Sequence, residues 1–63
     1  MQDHPLTATY RRKFYRYDST FRKKQNSALR VIEIMESGKY QAIVAERKTD
    51  DGKSVFDVYR RKK

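Results

Sequence analysis

The side chains best suited to chemistry in this chain are flat rings and cations, and they are interleaved. Tyr10-Arg11-Arg12-Lys13-Phe14-Tyr15-Arg16-Tyr17 is followed by Phe21-Arg22-Lys23-Lys24. Nucleobases stack on aromatic rings while guanidinium and ammonium groups meet phosphates, so a surface mixing the two suits nucleic acid. The candidate phosphate contacts are Arg11, Arg12, Lys13, Arg16, Arg22, Lys23 and Lys24. Tyr15 and Tyr17 are the candidate stacking rings, because a tyrosine placed in a core must also find a partner for its hydroxyl. A chain this short and without tryptophan must also spend rings on its core, so about half of Tyr10, Phe14, Tyr15, Tyr17 and Phe21 are expected to be buried.

A second basic block closes the sequence. Arg60, Arg61 and Lys62, with Lys63, read as a phosphate-binding tail that orders on contact with its target, or else as a solubilising end. The arginines carry more information than the lysines, since a guanidinium fork takes two acceptors on a phosphate or a guanine edge. Tyr-Arg-Arg-Lys occurs at residues 10–13 and again at 59–62. In so basic a chain this is too short to establish a duplication, but both blocks offer the same chemistry. If they lie together they form one patch; if they lie apart the protein can bridge two phosphate tracks.

Sixteen Lys and Arg against eight Asp and Glu give a net charge of +8 over 63 residues. The excess is not spread evenly. Residues 9–27 hold seven bases and one acid, residues 28–59 hold five bases and six acids, and the last four residues are all basic. Two positive blocks therefore flank a nearly neutral centre. Such a charge pattern speaks for a polyanionic partner rather than for a particular fold.

Catalysis finds little footing. His4 is the single histidine and sits beside Pro5 in a stretch with no periodicity. Asp50 and Asp51 belong to a turn, and the remaining carboxylates show no metal-ligand spacing. With no cysteine and only two glycines there is no thiolate site and no phosphate-cradling loop. The expectation is a protein that is not an enzyme and carries no cofactor or metal. No leader-like segment or long apolar run is visible, which points to the cytoplasm and to no membrane span. A basic aromatic helix over residues 6–21 would suit an anionic membrane surface, but tyrosine-rich, leucine-poor faces are weak anchors.

The elements that must position these groups are read from periodicity. Residues 1–8 are expected to form a loose start, followed by one small basic domain over 9–63, with residues 60–63 as its tail. Val31, Ile32 and Ile34, then residues 40–45, then residues 55–59 have the β-branched and aromatic character of strands. Ser37-Gly38 and residues 49–52 are turn signals between them. The favoured reading is mainly β, a small antiparallel sheet built as a three-stranded meander. Its first hairpin would set Met35 across from Tyr40, Ile32 from Ile43 and Val31 from Val44. The register of the second hairpin stays open, because a change of one residue in its loop turns the third strand over.

Two ambiguities remain. Residues 28–36 also fit a helix, with Ser27 as N-cap, Leu29, Ile32 and Met35 on one stripe and Gly38 past its end. Leu6, Tyr10, Phe14, Tyr17 and Phe21 likewise share a helical face, whereas Tyr15, Tyr17, Ser19 and Phe21 alternate as a strand does. A strand over residues 14–24 is preferred, adding a fourth member to the sheet.

The leading functional expectation is a small nucleic-acid-binding protein, DNA or RNA, that uses residues 10–24 and the tail on phosphates. A component threaded among the phosphates of a ribonucleoprotein would rest on the same physics. An alternative from another class is an inhibitor or adaptor of the kind viruses and plasmids encode, docking on an acidic protein surface. An exposed edge strand would give it a way to pair with a partner or to form a homodimer.

Overall fold

The computed structural model describes residues 6–63; His4 and most of the expected loose start fall outside them. Four strands and one helix follow in the order β1 (Thr7–Tyr10), β2 (Lys13–Phe21), α1 (Lys24–Glu36), β3 (Tyr40–Lys48) and β4 (Ser54–Lys62). The protein is mainly β, as the sequence leads one to expect. Its four antiparallel-paired strands curl into a half-barrel with the order β1-β2-β4-β3.

The favoured meander is wrong in one element, and the rival reading of that element is right. Residues 31–35 are helical, so the hairpin that would pair Met35 with Tyr40 does not exist. Val31, Ile32 and Ile34 have β propensity, but Ser27, Arg30, Val31 and Ile34 fall on one helical stripe. Ser27 and Ile34 of that stripe are buried. Burial on a period of 3.6 outweighs an intrinsic preference of a few tenths of a kcal/mol per residue, roughly. The helix also begins earlier than expected. Lys23, not Ser27, is the N-cap, and the Ser27 hydroxyl instead donates 2.6 Å to the Lys24 carbonyl. Gly38, at a φ of 74°, donates its N–H to the Met35 carbonyl and ends the helix where the sequence suggests.

The N-terminal segment is a hairpin, not a helix. Thr7 and Ala8 belong to β1, and the expected strand over 14–24 is β2, which stops at Phe21 and leaves Lys24 to the helix. Asp18 forms a bulge between the pairs Tyr17↔Tyr59 and Ser19↔Val58. The expected tail is not a tail: Arg60, Arg61 and Lys62 complete β4, paired on one side with β3. In the β3–β4 turn, Gly52 at a φ of 82° donates to Thr49, and the Thr49 N–H donates to Lys53. Three residues, Asp50 to Gly52, thus close the loop, which settles the register that the sequence leaves open.

Because β4 is central, both faces of the sheet are occupied along it. On the helix side Val58 is fully buried, opposite Ser19 and Val44. Tyr59, Asp57, Val55 and Tyr15, on the opposite face by strand alternation, are buried as well.

Candidate nucleic-acid interface

The antiparallel order brings three basic pieces of chain to one end of the sheet: the β1–β2 turn, the end of β4 and the start of β3. Arg16 of β2 faces Arg60 of β4, and Tyr40 of β3 faces Lys62. The two charge blocks therefore merge into a single patch. Like charges directly opposite each other on paired strands are destabilising, so the Arg16–Arg60 pairing works against the fold.

Strand alternation turns Phe14, Arg16, Arg60, Lys62 and Tyr40 toward the helix side, at the end of the sheet farthest from the start of the helix. With Lys13 and Arg61 they line an open groove of about 580 Å³. Arg60 is held over it from two sides. Its guanidinium carbon lies 5.1 Å from the Tyr40 ring centroid, and its Nε lies 3.6 Å from Asp18 Oδ1. Asp18 is itself fixed by Arg30 of the helix, whose Nε and Nη2 donate over 2.8 and 3.0 Å. The Arg30 hydrogen bonds hold the Asp18 carboxyl below its ordinary range against the opposing effect of burial, with Ser19 and Arg60 assisting. Among the described residues, no other base at this end has a carboxylate within ion-pair reach.

The tip of the β1–β2 hairpin is the second feature. Arg11 and Arg12 both adopt positive φ, 51° and 66°. This two-residue turn normally takes Asn-Gly or similar, because an L-residue with a full side chain is strained there by about 1–2 kcal/mol. The turn offers two exposed guanidinium groups, one of them 5.3 Å over the Tyr10 ring. Strained backbone of this kind concentrates at functional positions.

The rings are distributed differently from expectation. Tyr15 is buried at 4% exposure, with the Tyr10 ring edge-on at 6.5 Å and Arg61 at 5.9 Å. Tyr17 is half-buried, its ring edge-on to Tyr59 at 5.9 Å. Its hydroxyl bonds Thr20 Oγ1, which donates 2.6 Å to Asp57 Oδ1, and Arg47 Nε donates 2.8 Å to the other oxygen of the same carboxylate. That carboxylate holds the Arg47 pKa up, and burial followed by the Asp57 charge raises the Tyr59 phenol. Tyr15 is thus part of the far-side core and presents no open ring for stacking, while Tyr17 is half-buried with its hydroxyl engaged by Thr20. The exposed rings are Phe14, at 73% exposure, and Tyr10, with Tyr40 half-buried in the groove. Phe14 was findable: it shares strand parity with Arg16. Lys39 and Tyr40 were not, since only the sheet order brings them here.

Arg22, Lys23 and Lys24 lie at the opposite end, where β2 passes into the helix. Their surroundings are mixed in sign: Arg22, Asp50, Asp51 and Lys53 line a second cavity of about 520 Å³. Thr49 and the Lys53 amide hold the Asp51 carboxyl low, and the charge of Arg22 adds to this. The predicted site is therefore two places, one of them close to neutral.

Among the described residues there is no cluster of side chains able to hold a metal ion and no helix long and apolar enough to cross a membrane. No protein-family model matches the chain, and neither do curated proteins or solved structures.

Proposed function

We propose that the protein binds nucleic acid through the basic end of its sheet. The groove of Arg16, Arg60 and Lys62 takes phosphates, the Arg11–Arg12 tip reaches an adjacent phosphate, and Phe14 stacks on an unpaired base. The observation that carries this reading is the Arg16–Arg60 pairing, two like charges placed opposite each other, of which Arg60 has Asp18 nearby. A polyanion relieves that repulsion when bound, and nothing in the scaffold requires it.

Titration of labelled single-stranded DNA, double-stranded DNA and RNA at low and moderate salt tests the proposal. Binding is expected to weaken steeply with salt, with log K falling by about 0.7–0.9 per phosphate contact for each decade. Phe14→Ala is expected to cost single strands roughly tenfold and duplex much less, as stacking on an exposed ring does. Salt-insensitive binding, or retention of an acidic protein after nuclease treatment with no oligomer bound, overturns it.

A further inference from the structure

We propose that β3 and the outer flank of α1 form a self-association surface, on which two copies of this chain join their sheets edge to edge about a two-fold axis at Val44. The association does not depend on what the basic end binds.

The two edges of the sheet differ. β1 is four residues long, whereas β3 runs nine residues without a bulge or proline. The Thr49 N–H donates to the Lys53 carbonyl and the Lys39 carbonyl accepts from the Lys63 N–H, so odd-numbered residues along β3 bond inward to β4. Antiparallel alternation then turns the N–H and C=O groups of Ala42, Val44 and Glu46 outward, where no described strand meets them. A long, regular, unprotected edge is a template for pairing.

The same edge is apolar on the helix side. Arg30 reaches across to Asp18 on β2, which fixes that flank of the helix toward β2. Met35 lies on the other flank, toward β3, and Ile32 and Leu29 continue its stripe over the outer side of the helix. Leu29, Ile32, Met35 and Val44 are 59%, 51%, 47% and 40% exposed.

A second copy is the occupant that the charges favour. Arg30 and Arg47 are tied to Asp18 and Asp57. Among the described residues this side otherwise offers Glu33, Glu36 and Glu46 against Lys39 and Lys48, so two chains of net charge +8 meet here on a nearly neutral face rather than on a basic one. The strand is also self-complementary. A two-fold axis at Val44 pairs Val44 with itself, Ala42 with Glu46 and Tyr40 with Lys48 on the helix side, and Ile43 with Ala45 and Gln41 with Arg47 on the far side. No like charges face each other, whereas an axis at Glu46 would oppose two carboxylates. The joined sheets carry both helices on one face, with the two Arg60 positions roughly 20 Å apart from strand spacing and rise.

Sedimentation equilibrium and amide exchange on the full chain test this. The wild type is expected to reach twice the monomer mass at high micromolar concentration. The amides of Ala42, Val44 and Glu46 should exchange slowly there and rapidly on dilution. Val44→Pro removes an outward N–H, a change that edge strands tolerate, and should leave a monomer with unchanged circular dichroism. Met35→Lys, on the exposed flank of the helix toward β3, should do the same and serves if the proline variant unfolds. A wild type monomeric at every concentration, a dimer whose three amides stay fast, or folded variants that still dimerise would each overturn the proposal.

Discussion

The two ends of the sheet use the same residue types to opposite effect. Where β2 enters the helix, Arg22, Lys23, Lys24, Arg47, Lys48 and Lys53 stand among Glu46, Asp50, Asp51 and Asp57, and several are bonded to them directly or through the field. At the other end stand Arg11, Arg12, Lys13, Arg16, Lys39, Arg60, Arg61, Lys62 and Lys63, and among the described residues only Arg60 of these has a carboxylate, Asp18, within ion-pair reach. At the first end bases complete a scaffold. At the second they oppose it, through like charges across the strands and through arginines held at positive φ. A local cost that the fold does not repay internally is the better guide to function than density of charge.

The comparison is broken most directly by removing charge from each end in turn. Replacing Arg11, Arg12, Arg16 and Arg60 by Gln should weaken nucleic-acid binding roughly 100-fold or more at low salt and lower the salt slope by about 3. Replacing Arg22, Lys23, Lys24 and Lys53 by Gln should cost only a few-fold, by about the loss of long-range attraction. Fluorescence anisotropy over a salt series measures both. Equal losses at the two ends would mean that net charge, and not placement, governs binding.

A smaller effect separates function from stability at the hairpin tip. Arg11→Asn with Arg12→Gly gives the turn the residues it favours, so urea denaturation should show a gain of about 1–2 kcal/mol. That is a large share of the total for a chain of this length, which typically holds about 3–9 kcal/mol. Affinity should fall about tenfold, the usual sign of a strained site relaxed at the expense of activity.

The smallest expected change sharpens the picture at Asp18. Asp18→Asn releases Arg60, so affinity should rise two- to threefold, roughly, as one screened charge is removed from beside the groove. Stability should fall by about 1–2 kcal/mol, discounted because the Arg30 partner is one-third exposed. The pH dependence follows from the lowered pKa. Ionised Asp18 stabilises the fold above its ordinary value of 3.8, and that contribution is lost as the pH falls through the lower folded-state value. Urea midpoints measured down to that range should show an acid-side loss in the wild type that the Asn variant lacks.

Much of this was legible beforehand. The residue types of β3 and β4, both turn glycines and the alternation of β2 all announced themselves by period and chemistry. Residues 28–36 did not, because a short β-branched run satisfies both periods and only packing chooses between them. The core face of Tyr15 and Tyr17 was equally hidden. Alternation puts them opposite Phe14 and Arg16, but which side is covered depends on the curl of the sheet and on where the helix lies.

The sequence by itself determined that the protein is basic, that its charge comes in two blocks around a neutral β-rich centre, and that its turns fall at residues 37–38 and 49–52. These are properties of composition and local backbone preference, and they survive any arrangement of the elements. Only the tertiary structure decided that β4 lies between β2 and β3, because pairing of distant strands is set by the packing of whole faces. That one placement turns a supposed free tail into the central strand and brings residues 11–16 beside residues 60–63, making one basic end of two blocks.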